Sequence, residues 1–499
     1  MKHTPGNPAL DLLTKRTEEL TTHAQEEKIG LLKIEGKMLR AIEREPILYW
    51  IPQFFEDHPH AELFLVGGAV RDALLKKQNK DYDFVIRGLP HSAIGKWLES
   101  REEPRKPGDE KKPVGKNFGV FKFSPKGFPA SRFEEVDIAM PRTEHCEEGS
   151  TGAYRDVEVQ SDHQMPIEED LGRRDLTINA MAFDVKTGDL IDLYGGRKDL
   201  EQGIIRAVGD PKERFNEDMS RMFRAIRMAS QLDFTIEPET WGALVLKMEE
   251  INKKVPATDD DGKIQKDKNG NIIMCYAIPR ETITREVAKA LTRNPSKAIN
   301  LLYESGAMRM LLPNLHALRE QDPERFAVLS HIKKPDLAII YALIMRGLST
   351  KELRRSFKMI DFQREGRGTA IRAERRDIVE LVEWINDPNR PQKLMELRPW
   401  QFRKKLFNTQ GERYLTCLRA LGHEHEASML EKTRNAMMRN CGVDHYSQIH
   451  SLVTGNDVMQ AFGIVKGGPQ VGEILRRAVD LQLTGEGRTK EEIIKKLLA

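Results

Sequence analysis

The run at residues 63–88, LFLVGGAVRDALLKKQNKDYDFVIRG, restricts the fold more than any other stretch, because its pattern admits one order of elements: strand, glycine turn, helix, strand. Leu63 to Val66 is a short apolar run of the kind a buried strand shows, and Gly67-Gly68 closes it with a turn that needs no Cβ. Ala69 to Lys77 then predicts an amphipathic helix whose free N–H groups face the same place as the glycines, with Arg71 adding a fixed positive charge. Taken alone, such a turn is either a structural corner or an anion site. In the second strand, residues i and i+2 share a face. Asp81 and Asp83 are therefore expected side by side, with Tyr82, Phe84 and Ile86 turned to the core. Two carboxylates on one face repel unless a cation sits between them, and hard oxygen donors beside a phosphate suit magnesium. Two solvated acids at a strand end are the plainer alternative.

GGAVRDALL followed by KDYD resembles the signature of the class II tRNA nucleotidyltransferase and bacterial poly(A) polymerase family, within the polymerase-β-like nucleotidyltransferases. The resemblance implies an α/β nucleotidyltransferase head with a mixed sheet, magnesium-dependent nucleotidyl transfer, Asp81 and Asp83 as catalytic metal ligands, and Gly67, Gly68 and Arg71 at the nucleotide. A Rossmann dinucleotide site does not fit, because the third glycine and the ribose-binding acid at its usual distance are missing.

The 499 residues are enough for roughly three or four domains. With 80 basic against 77 acidic residues the net charge is only +3, so any nucleic-acid contact must come from local patches. Cys146, Cys275, Cys417 and Cys441 are too scattered for a zinc pattern or a disulfide framework, which fits a reducing compartment. No apolar run approaches a membrane span, and the N-terminus lacks an apolar signal core. A cytoplasmic location is expected.

Residues 1–58 are charged and helical in pattern and are expected to form an N-terminal extension, longer than the family carries before its first strand. HSAIGKWLES predicts a surface helix, REEPRKPGDEKKP a charged loop and KNFGVFKF a strand. FEEVDIAM predicts a further strand with Glu135 and Asp137 on one face; the family places a carboxylate here near the other two, which makes Asp137 the candidate third acid. Residues 142–172 are polar and weakly periodic, which predicts a mobile loop, and they resemble the family's flexible loop.

RRDLTINAMAFD packs polar groups among core residues, so those groups need partners. By resemblance, Arg174, Asp175 and Asn179 hold the sugar and triphosphate of an incoming nucleotide, and Gly195-Gly196 with Asp199 form a hinge. In RFNEDMSRMFRAIRMASQL the residues Met219, Met222, Phe223 and Ile226 define an apolar helical face. Asp218 and Arg221, and Arg221 and Arg224, then fall three apart on one helix surface, where an intrahelical ion pair is the simple expectation. By resemblance, Glu217, Asp218 and Arg221 match the family's EDxxR motif, a protein template for base choice, with Arg224 beside them. A carboxylate that accepts from an exocyclic amine and a guanidinium that donates to ring acceptors would take cytosine and adenine and reject uracil and guanine.

Residues 255–275 read as a solvated inserted hairpin turning at Asn269-Gly270. Helices follow. From His331 they occupy the place where some relatives carry a His-Asp metal phosphohydrolase, but one histidine does not make such a cluster. Residues 351–444 hold 20 Lys/Arg against 14 Asp/Glu. That excess singles out Trp400, Arg403, Lys404 and Lys405 as candidates for RNA-backbone contact, with a charged helical face as the alternative. The C-terminal run, with its Gly-Asn-Asp turn and Gly-Gly-Pro before a helix, resembles the tail of bacterial CCA-adding enzymes.

The expected organisation is an extension (1–58), an α/β head (59–205), a helical neck with the base-recognition motif (206–320), a helical body (321–430) and a tRNA-binding tail (431–499). The expected activity is untemplated addition of C, C and A to a tRNA 3′ end from CTP and ATP, with Mg²⁺ as cofactor and no membrane or obligate protein partner. Poly(A) addition, CC-only or A-only addition, and an inactive RNA-binding protein are the alternatives.

Overall fold

The computed structural model describes residues 45–77, 81–102, 120–126, 136–146, 157–259, 263–359 and 375–499. Glu135, the first 44 residues, and the glycine–tyrosine part of the 142–172 segment lie outside them. The chain divides into two compact units: one runs to Lys247 and takes in Lys253–Ile278, and the other comprises Met248–Asn252 and Pro279–Ala499.

The first unit is built on a six-stranded sheet in the order β3-β4-β2-β1-β7-β8, formed by β1 (Glu62–Val66), β2 (Tyr82–Arg87), β3 (Phe121–Phe123), β4 (Val136–Ala139), β7 (Ala182–Asp184) and β8 (Leu190–Ile191). All pairings are antiparallel except β2 with β4, which run parallel. Both faces of the sheet are covered, and this is why Phe84, Val85 and Ile86 are all buried in one strand. On one face Phe64, Val66 and Val85 pack with Ile167 and Leu171 of helix α4 (Ile167–Gly172). On the other, Phe84 meets an aromatic cluster of Trp50, Phe54, Trp97 and Phe123. Trp50 and Phe54 come from helix α1 (Ile51–Asp57) and the residue before it, and Trp97 from α3 (His91–Arg101). Within the stretch read as an extension, residues 47–54 thus contribute to the core of the head. The helix after the glycine turn is α2 (Gly68–Leu74).

Two expectations are corrected. The 142–172 segment is not all loop: β5 (Arg142–Cys146) pairs antiparallel with β6 (Val157–Ser161) over five residues each, and α4 follows. Cross-strand pairing holds two mostly polar strands whose apolar alternation is limited to Val157 and Val159. The 255–275 insertion is more than a single hairpin. Lys254–Pro256 pairs with Met274–Tyr276, while bridges Thr258↔Ile264 and Lys266↔Ile272 fold a middle run back onto both sides. Gly270 takes the expected left-handed conformation at φ 84°.

The second unit is helical. Around the fully buried helix Leu337–Met345 lie helices Arg375–Asn386 and Thr409–Ala420, joined by a T-shaped Trp384–Tyr414 contact at 5.1 Å. The chain end has its own small core of Val453, Val458, Val471, Ala478, Ile493 and Leu497. His331 is held through Nδ1 to the Ala420 carbonyl at 3.2 Å.

Candidate active site

Gly67 ends β1 with φ 67° and ψ −128°, a conformation that side-chain-bearing residues avoid. A Cβ there would fall 2.8 Å from Arg174 Nη1 and 3.9 Å from Asp83 Oδ2, so the turn, one predicted acid and one predicted arginine converge. Asp81 lies one residue before β2 and Asp83 is its second residue. Asp83 is the in-register partner of Asp137 on the parallel strand β4. Its side chain reaches solvent, yet its pKa is raised. The surrounding protein thins its hydration, Asp137 and Asp81 add repulsion, and Arg174 and Lys122 offset part of this. Lys122 on β3 donates to Asp137 Oδ1 at 2.8 Å.

Among the described residues, no three His, Cys, Asp or Glu side chains gather at metal-binding range. The donors nonetheless suit a hard divalent cation: all are carboxylate oxygens, and the repulsion from Asp137 and Asp81 that adds to burial in raising Asp83 is of the kind a bound cation relieves.

A polar network lines the other side of the turn. Arg71 Nη1 donates to Asn179 Oδ1 at 2.7 Å, Asn179 Nδ2 donates to Asp175 Oδ1 at 3.2 Å, and Arg224 Nε donates to Asp175 Oδ2 at 2.6 Å. The predicted residues Arg71, Asn179, Asp175 and Arg224 are therefore one chain of contacts. Burial works to raise the Asp175 carboxyl, but the Arg224 guanidinium and the Asn179 amide hold it well below the usual range. Gly68 stands against the Arg71 guanidinium, 3.5 Å from the position its Cβ would take. Arg174 Nη2 is 2.9 Å from Asp170 Oδ2 and Arg173 Nη2 is 2.7 Å from Asp170 Oδ1. Burial of Asp170 is outweighed by Arg174 and Arg173, so its pKa is lowered. Gly196, which opens α5 (Gly196–Gln202), approaches Thr177 so closely that a Cβ would lie 2.2 Å from the carbonyl oxygen. Beside it, buried Asp199 accepts from Thr177 Oγ1 at 2.7 Å and Arg206 Nε at 3.1 Å.

The Asp218–Arg221 pair needs correction. Asp218 is not on the helix of Arg221: it follows α6 (Pro211–Glu217), two residues before α7 (Ser220–Leu232). Its oxygens accept from the Ser220 N–H at 2.8 Å and hydroxyl at 2.9 Å, which starts α7 much as an N-cap does. Arg221 is buried and donates to Glu217 Oε2 at 2.5 Å and to the Arg173 carbonyl at 3.2 Å.

In the helical unit, Trp400 is capped by Arg476 at 5.2 Å, Arg403 donates to the Ile449 carbonyl at 2.8 Å and Lys405 pairs with Glu380 at 3.3 Å. Lys404 is exposed.

Asp170 and Lys122 were not singled out from sequence. Asp170 carried a signal, an acid three and four residues before two arginines, which is helical pairing distance. Lys122 carried none, since its meeting with Asp137 depends on the register of β3 with β4.

The mixed sheet, with Asp83 beside the glycine turn, has the architecture of a nucleotidyltransferase head. Residues 63–206 match the poly A polymerase head domain. The chain is 34% identical over 264 residues to the multifunctional CCA protein of Xanthomonas campestris, covering 52% of each. It is 35% identical over 259 residues to that of Neisseria gonorrhoeae, covering 52% of this chain and 51% of the relative. The chain thus spans about half the length of the curated relatives it matches. The fold likeness reaches further. The crystal structure of the Bacillus stearothermophilus CCA-adding enzyme in complex with CTP aligns with a TM-score of 0.59 at 24% identity, covering 89% of this chain and 94% of that one. The Thermotoga maritima CCA-adding enzyme complexed with tRNA aligns at 0.55 and 20%, covering 94% and 98%. An α/β head followed by a helix-rich remainder, interrupted by the short strands of residues 235–276, is therefore the fold of this chain. Among the described residues no helix is long and apolar enough to cross a membrane.

Proposed function

We propose that the protein is a CCA-adding tRNA nucleotidyltransferase, which joins the α-phosphate of CTP or ATP to the 3′-hydroxyl of a tRNA lacking its terminal CCA and releases pyrophosphate. The observation that carries this reading is the convergence of Asp83, the Gly67 turn and Arg174 in one place, on a head whose sequence relatives are named CCA proteins.

Asp81 and Asp83, with Asp137 beside them, would hold Mg²⁺, which when bound lowers the pKa of an attacking hydroxyl and offsets charge developing on the phosphate. The chain's own residues do the rest. The bare backbone at Gly67-Gly68 lets a phosphate approach closely, and Arg174 and Arg71 present fixed positive charge to it. Asp175, Asn179 and Arg224 hold each other, so the pocket wall is set before the nucleotide arrives. Asp218 and Arg221 read the base by exchanging Ser220 and Glu217 for its polar edge. UTP and GTP leave those groups unpaired, which disfavours them. The order C, C, A then comes from the growing RNA end, since one pocket serves both bases. The helical unit, including residues 431–499, supplies the tRNA grip.

The test uses a tRNA transcript lacking its last three nucleotides, with CTP and ATP. Addition of C, C and A followed by arrest supports the reading. A long adenosine tail on an unrelated RNA identifies a poly(A) polymerase. A product ending at CC, or dependence on an existing CC end, identifies a partial adder, and no incorporation at all defeats the enzymatic reading.

A further inference from the structure

Asp170 is fully buried, at 0% exposure, and each of its oxygens serves a different arginine. Oδ1 accepts from Arg173 Nε at 3.0 Å and Nη2 at 2.7 Å, and Oδ2 accepts from Arg174 Nε at 3.3 Å and Nη2 at 2.9 Å. Both guanidiniums reach solvent slightly, at 15% and 16% exposure. A single arginine would have neutralised the buried carboxylate. Two leave one positive charge in excess, and the shared carboxylate fixes where it sits. With Nε and Nη2 committed to Asp170, Arg174 directs Nη1 toward the Gly67 turn. That atom donates to the Asn179 carbonyl at 3.4 Å and lies 2.8 Å from the position a Cβ on Gly67 would take. The Arg142 N–H also approaches Asp170 Oδ1, at 3.4 Å, tying the start of β5 to the same carboxylate.

We propose that Asp170 is a positioning residue that clamps Arg173 and Arg174 side by side, so that the Nη1 edge of Arg174 is pre-set against the Gly67 turn to receive the triphosphate. This rests on the nucleotide-site reading above. Without the clamp, two adjacent guanidiniums repel and sample many rotamers, and the ordering cost falls on nucleotide binding. Asp170 touches no reacting atom, so its loss weakens triphosphate binding for CTP and ATP alike and leaves the choice between them unchanged.

The experiment measures CTP and ATP binding by calorimetry, with thermal melting as a control for folding, for the wild type, Asp170→Asn, Arg174→Ala and the double variant. A fifth protein, Asp170→Asn with Arg173→Gln, keeps the cluster's net charge at +1 and so guards against failure to fold from uncompensated charge. Expected are losses of about tenfold or more in Asp170→Asn, a similar loss in the charge-balanced variant, and a double variant no weaker than Arg174→Ala alone. Fully additive losses, or a charge-balanced variant that binds like wild type, would make Asp170 a matter of charge balance only and overturn the proposal. A folded wild type that binds neither nucleotide overturns the nucleotide-site reading and this proposal with it.

Discussion

Arg174 stands where the side chain of residue 67 would be: its Nη1 is 2.8 Å from the Cβ that Gly67 lacks. The glycine therefore serves two needs, a backbone angle and an absence of volume. Gly67→Ala places a side chain at φ 67°, a strain of about 1–3 kcal/mol, and pushes Arg174 off the turn. A lower melting temperature together with weaker nucleotide binding is expected. Nucleotide binding equal to wild type in calorimetry would show that Arg174 has no role at this turn.

Asp83→Asn is expected to abolish transfer while leaving the fold as stable or more so at neutral pH. The sign follows from the raised pKa: an acid harder to ionise in the folded chain costs stability as pH rises through its titration, and asparagine removes that cost. Paired melting and incorporation assays check both halves. Transfer retained in a purified Asp81→Asn, Asp83→Asn double variant would remove the metal assignment.

Asp218→Ala and Arg221→Ala should blur base choice by about 1–3 kcal/mol more than they weaken triphosphate binding. Arg221→Ala should also melt earlier, because it strips Glu217 and the Arg173 carbonyl of a buried partner. Equal slowing of CTP, ATP, UTP and GTP use would assign both residues to structure alone.

Acid should unfold the head through Asp175. Its folded pKa lies below the ordinary 3.8, so the stability it contributes is complete above that value and is lost as pH falls below it. Asp175→Asn breaks the ion pair of a buried carboxylate with the partly exposed Arg224 and should cost about 2 kcal/mol at neutral pH, with the gap from wild type closing as pH drops below 3.8. Denaturant unfolding across pH 2.5 to 7 measures it; a pH-independent gap would contradict the linkage.

The elements that sequence makes legible are those with a strong local pattern. Leu63–Val66 announces itself as an unbroken apolar run closed by the glycine turn, and alternation predicts Phe84 and Ile86 inside but misses Val85, which is buried because the sheet is covered on both faces. Asn179 and Asp175 stood out as polar groups in an apolar stretch that required partners, and they partner each other. What stayed hidden depends on register or on breaks without punctuation. β5 and β6 are mostly polar, and the one alternation they carry, Val157 and Val159, is too short to mark a strand. Between Glu217 and Ser220 the chain leaves and re-enters helix with neither Gly nor Pro to signal it, and this separates Asp218 from the helix of Arg221. Lys122 meets Asp137 only through pairing of β3 with β4.

The parallel pairing of β2 with β4 has a consequence for how the protein matures. Asp83 and Asp137 become neighbours only after some fifty intervening residues have closed a crossover, whereas β1 and β2 can pair across a short local connection. A nascent chain released before β4 has emerged can hold the glycine turn and its first two strands and still lack the acid opposite Asp83. Under the proposed function, a chain truncated there lacks one of its three candidate acids and is expected not to transfer nucleotides.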